Sequence, residues 1–188
     1  MNPNDELTDG IIIVRAYREA DASALYEAAR ESIAEVSVWL PWCHETYSIE
    51  ESREFVTSRA QAAQGDEWYS FATFEKDSGR FLGGVGLNFF NRVHQMANLG
   101  YWVRTSAAGR GVATRAARLV ARFGFAQLDL HRIEILAAVD NIASQKVAEK
   151  VGAVREGVLR KRLLINGESQ DAVIFSLLPE DVGLPAGL

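Results

Sequence analysis

Two short segments carry residue types and spacings that could do chemistry, and the first is a loop with two glycines. Residues 101–114 read YWVRTSAAGRGVAT, running from the end of a strand pattern into the start of a helix pattern. Gly109, Gly111 and the small Ala113 would let the backbone approach a ligand closely. The first peptide N–H groups of a helix have no intrahelical partners and attract anions. The loop therefore predicts a pyrophosphate site, to which Arg110 could add a charge.

The second segment, residues 139–152, reads VDNIASQKVAEKVG and opens a helix directly after a strand. Asn141 stands at the expected N-cap, where an Asn side chain accepts a hydrogen bond from the first turn. Because that cap is already present, the Ser144 hydroxyl is not needed for capping. It is a candidate hydrogen-bond donor for chemistry.

Rival motifs can be tested on the sequence. It contains no Gly-Lys-Ser/Thr string, which excludes a Walker A loop, and no Gly-x-Ser-x-Gly string, which excludes a hydrolase elbow. Thr114 stands where a dinucleotide fingerprint needs a third small residue. Gly83, Gly84 and Gly86 lie inside a strand pattern, which favours a bulge or close packing. A tight helix entry without any ligand remains an alternative for Gly109 and Gly111.

Composition bounds the class of protein. The chain has 188 residues, 48% hydrophobic and 24% charged, which fits one globular domain. A net charge of −5 argues against direct nucleic-acid binding by a basic surface. Cys43 is the single cysteine and three scattered histidines make no zinc pattern, so neither a disulfide nor a metal is expected. Without a signal peptide or membrane-spanning run, a cytoplasmic location away from membranes is expected.

Hydrophobic periodicity predicts the element order βααβββαβαββ. A β-branched run at 11–14 begins it, two helices follow, and three strands from Trp68 to Val103 form an antiparallel meander. The Asn166-Gly167 dipeptide predicts a closing hairpin. We expect a mixed α/β fold in one domain over 1–188, with a core of about 11–178 and tails at 1–10 and 179–188.

The two segments together resemble the GNAT superfamily of acetyl-CoA-dependent N-acetyltransferases. The family's pyrophosphate loop, Arg/Gln-x-x-Gly-x-Gly/Ala, is matched at Ala108, Gly111 and Ala113, and Asn-x-x-Ser followed by Lys-x-Gly is similar to the ribosomal-protein N-terminal (serine/alanine) branch. The same branch is indicated by WLPW at 39–42, LGYW at 99–102 and REG at 155–157. The resemblance covers residues 11–178 and implies a central, mostly antiparallel, splayed sheet flanked by helices.

The resemblance implies roles for individual residues. Backbone groups of Trp102, Val103 and Arg104 would pair with the pantetheine arm, and the Val103 N–H would stabilise the oxyanion. Asn141 would orient the pantetheine, and Ser144 would donate a proton or hydrogen bond to the leaving thiolate. The N–H groups of the loop would hold the pyrophosphate; they belong to Arg110, Gly111, Val112, Ala113 and Thr114, after Ala108 and Gly109. No metal is implied.

The acceptor side departs from the family pattern. Ala108 stands where relatives often have Gln or Arg, and Leu163 where ribosomal-type enzymes often place a Glu base; Glu67, His44 and Glu168 are weak substitutes. Trp39, Trp42 and His44 are candidate acceptor-binding residues, although core packing is the better reading for Trp39 and a surface loop for His44. The expected acceptor is a protein N-terminal amine, such as that of a ribosomal protein. The alternatives are a small amine (amino acid, polyamine or antibiotic) and a non-catalytic acyl-CoA-binding module. A homodimer is left open.

Overall fold

The computed structural model describes residues 6–62 and 68–185, with the side chains of 60–62 excepted. Its elements follow the predicted order with one added strand, and the first predicted helix is divided at Ser32 into two. The strands are β1 Glu6–Thr8, β2 Ile12–Ala16, β3 Tyr69–Glu75, β4 Phe81–Asn91, β5 Met96–Val103, β6 Arg132–Ala138, β7 Val154–Ile165 and β8 Glu168–Leu177. The helices are α1 Ala22–Glu31, α2 Ile33–Val36, α3 Ile49–Ala62, α4 Val112–Gln127 and α5 Ile142–Val151, with 3-10 turns at Glu19–Asp21, Thr105–Ala107 and Pro179–Val182.

The strands form one eight-stranded sheet in the order β1-β2-β3-β4-β5-β6-β8-β7. All neighbouring pairs are antiparallel except β5 and β6, which are parallel. The mixed α/β class and the mostly antiparallel sheet are therefore confirmed. The single parallel pair lies at the centre, and it is where the sheet opens.

Helices cover both faces of the sheet because successive strand residues point to opposite sides. On β3, Phe71 joins the core that packs under α4 and α5, whereas Ala72 joins the core under α1 and α3. The stripe predicted for α4 is buried, with Val112, Ala116 and Val120 at most 6% exposed. The segment 37–47 is irregular, as its aromatic and proline-interrupted sequence predicted.

Two local backbone predictions are confirmed. Asn166 and Gly167 both have positive φ, at 51° and 82°, as the two-residue hairpin turn requires. A Cβ at Gly83 would lie 2.2 Å from the Trp102 carbonyl oxygen, so close strand packing, not a ligand loop, explains this glycine. α4 begins at Val112, three residues later than predicted, because Gly109 and Gly111 are left-handed.

The expectation of tails at 1–10 and 179–188 was wrong for part of each end. Glu6–Thr8 pairs with β2, and Leu7 packs against the main core. After Pro179, the chain turns back so that Val182 is 4% exposed and its carbonyl accepts a hydrogen bond from Arg122 of α4 at 3.2 Å. Single apolar residues at positions 7 and 182 therefore anchor segments that look polar as a whole. No helix in the described part of the chain is long and apolar enough to cross a membrane.

Candidate active site

The site begins where β5 and β6 diverge. The two strands pair only from Met96–Asn98 to Arg132–Glu134. Beyond Asn98, β5 stays paired with β4 as far as Val103, while β6 stays paired with β8. A notch therefore opens between β5 and β6, and the splay expected of the sheet is confirmed.

Strand alternation decides which peptide groups of β5 face this notch. The Arg104 N–H donates to the Leu82 carbonyl of β4 at 2.9 Å, and the Trp102 carbonyl faces Gly83, which is also on β4. Because neighbouring peptide groups point to opposite edges of a strand, the Val103 and Tyr101 N–H groups point into the notch. The prediction for Val103 is supported by this geometry. The backbone roles expected of Trp102 and Arg104 are not, since these groups pair with β4.

Ser144 is brought to the notch by a contact that the sequence did not reveal. The Tyr101 hydroxyl lies 3.0 Å from the Ser144 carbonyl oxygen and 3.1 Å from Ser144 Oγ. A carbonyl can only accept, so the tyrosine O–H donates to it and the serine hydroxyl can donate to the phenolic oxygen. Burial raises the pKa of Tyr101 to about 12, which keeps the phenol protonated at neutral pH. The LGYW motif included Tyr101, but nothing in the spacing linked it to Ser144.

Asn141 is the N-cap of α5, as predicted. Its Oδ1 accepts a hydrogen bond from the Ser144 N–H at 3.0 Å. The cap therefore fixes the backbone of the candidate donor, while Gly152 ends the same helix in a left-handed conformation. Asn141 acts on Ser144 through the helix turn that both residues share.

The predicted pyrophosphate loop has the shape of an open anion cradle. Gly109 and Gly111 have φ of 75° and 77°, and a Cβ built on either meets nothing within 4 Å. The glycines are thus required by backbone conformation, and the space before them is open. Gly111 is the N-cap of α4 and offers no side chain to the first-turn N–H groups. Those N–H groups belong to Val112, Ala113 and Thr114, as predicted; Ala108 is exposed beside them.

A basic groove continues from this loop along α4. It has a volume of about 680 Å³ and is lined by Gly111, Thr114, Arg118 and Lys150 among others, together with an ion pair between Arg115 and Asp9 at 2.6 Å. Arg110 is directed elsewhere: its guanidinium bonds Glu75 at 2.8 Å. The Ser78 hydroxyl and then the Arg110 guanidinium lower the pKa of Glu75. The charge predicted from Arg110 is therefore engaged with Glu75, as that of Arg115 is with Asp9, whereas Arg118 and Lys150 are basic groups of the groove that the sequence did not single out.

Aromatic rings form a wall on the opposite face of the sheet. Trp42 meets Trp102 with ring centroids 5.1 Å apart and Tyr47 at 5.6 Å. Trp42 is 37% exposed, so the candidate acceptor residue presents a free surface next to the strand that carries Val103. Trp39 is half-buried and outside the buried core, unlike the core position favoured for it. Tyr47 is a member of the wall that sequence reasoning missed.

Of the candidate bases, His44 lies beside this wall, with its ring centroid 6.0 Å from that of Tyr47. His44 Nε2 lies 2.8 Å from Glu51 Oε1, and its Nδ1 lies 3.1 Å from the Thr46 hydroxyl. Glu168 is exposed in the hairpin, opposite Ile165. Leu163 pairs with Gln170, and Glu67 lies outside the described residues.

The hairpin of β7 and β8 approaches the same face. The Asn166 side-chain amide donates to the Ser37 carbonyl oxygen at 3.2 Å, which ties the hairpin tip to the segment that carries Trp42. The hairpin tip and this irregular segment are therefore in direct contact. A parallel pair that splays, a glycine loop with uncapped N–H groups at one end and an aromatic wall on the other face together fit an extended, phosphorylated ligand.

Comparison with known proteins identifies the family. The model of the acetyltransferase (GNAT) domain matches residues 12–154. The probable N-acetyltransferase YjcK of Bacillus subtilis is 35% identical over 136 residues, which are 72% of this chain and 75% of YjcK. The ribosomal-protein-serine acetyltransferase of Escherichia coli is 24% identical over 163 residues, 87% of this chain and 90% of the relative. The solved structure of Mycobacterium smegmatis RimJ in complex with CoA-disulfide superposes with a TM-score of 0.85 at 24% identity, over 99% of this chain and 91% of RimJ. The chain belongs to the GNAT family of N-acetyltransferases.

Proposed function

We propose that this enzyme moves an acetyl group from acetyl-CoA to the α-amino group of a protein N-terminus, of the ribosomal-protein type, by direct attack in a ternary complex. The observation that carries the proposal is the notch between β5 and β6, with the Val103 N–H pointing into it and Ser144 held beside Tyr101. The acceptor class rests on the branch resemblance and on the name of the E. coli relative.

The residues of the loop and groove fit the cosubstrate. Acetyl-CoA supplies an activated thioester when it is bound. The first-turn N–H groups of α4 would hold its pyrophosphate, because the N-cap Gly111 leaves them uncapped and the space before them is open. Arg118 and Lys150 line the groove that would take further phosphate charge. The free edge of β5 beyond Asn98 would pair with the amide groups of the pantetheine arm.

Two groups of the chain would serve the transfer itself. The Val103 N–H would donate to the thioester oxygen and stabilise the negative charge that develops there. The Ser144 hydroxyl would turn from the Tyr101 oxygen to the leaving sulfur as that atom gains charge. An α-amino group has a pKa of about 8, so a sizeable fraction of the amine is uncharged at neutral pH and no strong base is required.

A panel of acceptors tests the proposal. The protein is incubated with acetyl-CoA and peptides that differ only at the N-terminus: a free Ser or Ala, and the same peptide with its α-amine blocked and one Lys retained. Spermidine, free amino acids and an aminoglycoside complete the panel. We expect release of free CoA thiol, and a mass gain of one acetyl group on the free N-terminus alone.

Each other result contradicts part of the proposal. Turnover of a small amine with no turnover of peptides would replace the acceptor class but keep the transferase. Silence across the panel, with CoA binding retained in calorimetry, would favour the non-catalytic binding module.

A further inference from the structure

A cluster of polar groups joins two segments that lie 70 to 75 positions apart in the chain. Glu31, at the end of α1, accepts a hydrogen bond from the Ser106 N–H at 2.8 Å and from Arg104 Nε at 3.0 Å. The neighbouring Ser32 accepts from the Thr105 N–H at 3.0 Å. Glu35 accepts from the Thr105 hydroxyl at 2.8 Å. We call these contacts the Glu31 clamp.

The clamp holds the part of the backbone that connects β5 to the cradle. Arg104 follows Val103 directly, and Ala107 leads into the loop with Gly109 and Gly111. The Arg104 guanidinium also donates to the Phe81 carbonyl of β4 at 3.1 Å. The backbone N–H groups of Thr105 and Ser106 therefore both donate to residues at the end of α1. These two hydrogen bonds fix the direction in which the chain leaves Val103.

The clamp is well built for a rigid connection. The Arg104 side chain is only 11% exposed and Ser32 is fully buried, donating its own O–H to the Ala28 carbonyl at 2.6 Å. The Arg104 guanidinium is the main cause that lowers the pKa of Glu31 to about 2. Hydrogen bonds to a charged acceptor are stronger than neutral ones, so the connection has little freedom to move.

The turn at Ser32, between α1 and α2, also leads into the segment that forms the acceptor wall. α2 follows Ser32 directly, and the segment after it contains Trp39 and Trp42. The Trp42 ring then returns to Trp102 on β5, two residues before Arg104. The turn at Ser32 is thus linked to both sides of the notch. Its side chain binds the connection that leads to the cosubstrate loop, and its backbone continues into the acceptor wall.

We infer that Glu31 is a positioning residue for acetyl transfer. It fixes the backbone path between β5 and α4, so that the Val103 N–H and the N–H groups at the start of α4 can bind one cosubstrate at the same time. This inference rests on the proposed cosubstrate site. Glu31 itself touches no reacting atom and acts through Arg104 and Ser106.

The test is Glu31→Gln, which keeps the shape of the side chain and an oxygen for the Ser106 N–H but removes the charge that holds Arg104. We expect the Kd for CoA, measured by calorimetry without turnover, to rise about tenfold, as the loss of a charge-assisted hydrogen bond would give. The KM for acetyl-CoA should rise in parallel. The kcat at saturating acetyl-CoA should also fall, by a smaller factor than the KM rises, because the Val103 N–H that stabilises the transition state is displaced while Ser144 and Tyr101 are untouched.

Asp21→Asn is the matched control. Asp21 also binds an arginine through both carboxylate oxygens, Arg15 at 2.7 and 2.8 Å, and accepts from the Arg18 N–H at 2.7 Å, but it lies at the opposite end of α1 from Glu31. It should lower stability without weakening CoA binding. Equal weakening in both variants would mean general destabilisation, and wild-type binding in Glu31→Gln would mean no positioning role; either result overturns the inference.

Two further variants distinguish a loss of the positioning role from a folding defect and from a misplaced cosubstrate site. If Glu31→Gln does not fold, Thr105→Val removes the bond to Glu35 and should weaken CoA binding less, by about threefold, and unchanged binding there overturns the inference. Gly111→Asp tests the cosubstrate site itself. If Gly111→Asp still binds CoA, the proposed site is misplaced; if it fails to bind while Glu31→Gln binds normally, only the positioning role is lost.

Discussion

At the residue scale, the informative finding is that Ser144 does not stand alone. Its N–H is fixed by Asn141, and its carbonyl and hydroxyl both contact the Tyr101 hydroxyl. Tyr101 stays protonated because burial raises its pKa, so its only proton is committed to the Ser144 carbonyl. The serine proton is then the one free to follow a developing negative charge.

This arrangement predicts the behaviour of two variants. Ser144→Ala should lower kcat about a hundredfold with little change in the KM for acetyl-CoA, because the donor serves the leaving sulfur and not the bound state. Tyr101→Phe should lower kcat by a smaller factor. Steady-state kinetics of both variants and of the double variant provide the measurement.

The double variant is the control for this pair. If Tyr101 acts through the Ser144 hydroxyl, the double variant should be no slower than Ser144→Ala alone. Tyr101→Phe then removes the partner of a hydroxyl that is already absent. Fully additive losses would contradict the coupling. An unchanged kcat in Ser144→Ala would remove the donor role.

At the element scale, local signals predicted the strands and helices that carry the site. Gly111 and Asn141 mark helix starts, and Asn166-Gly167 marks the hairpin, because each residue type has a backbone reason for its place. The contact between Tyr101 and Ser144 could not be predicted in this way, since it depends on how β5 and α5 meet.

The same limit applies to the Glu31 clamp and to the two chain ends. Glu31 and Arg104 read as ordinary surface charges in sequence, and only the packing of α1 beside β4 brings them together. The strand at Glu6–Thr8 was missed because it has a single core residue, Leu7, and no alternation long enough to detect. Three residues carry too little periodicity to predict a strand.

The loop at the start of α4 leads to a prediction about cosubstrate binding. Gly111→Asp should abolish CoA binding, because it adds a carboxylate where the phosphates would lie and strains a left-handed backbone. Calorimetry with CoA measures this. Gly167→Asp is the matched control: Gly167 is also left-handed and open, but it lies in the hairpin turn. Loss of CoA binding in both variants would point to misfolding and not to the cradle.

At the scale of the whole molecule, an ion pair joins an exposed edge strand to the sheet. Arg132 of β6 holds both carboxylate oxygens of Glu156 on β7, at 2.8 and 2.5 Å, and Ser176 of β8 donates to the same carboxylate at 2.8 Å. β7 is the edge strand and is mostly exposed, so little apolar burial fixes it. The network therefore joins the three strands that form one side of the notch.

These carboxylates make the stability of the fold depend on pH. The Arg132 guanidinium, followed by the Ser176 hydroxyl, lowers the pKa of Glu156 to about 2 from an ordinary value of 4.5. Arg104 lowers the pKa of Glu31 to about 2 as well. A carboxyl group whose pKa is lower in the folded state stabilises the fold fully above its unfolded pKa, and this contribution is lost as the pH falls through the folded value. The free energy of unfolding should therefore fall between about pH 4.5 and pH 2.

Glu156→Gln tests which groups cause that fall. At pH 7 the variant should be less stable than the wild type, because the amide cannot pair with the Arg132 charge. As the pH approaches 2, the difference should shrink, since protonation removes the same interaction from the wild type. Urea unfolding at a series of pH values measures both effects. Glu54→Gln is the control, because Glu54 is exposed on α3 and forms no ion pair with the described residues. It should follow the wild-type curve, and a Glu156→Gln curve parallel to the wild type down to pH 2 would contradict the assignment of the acid transition to this network.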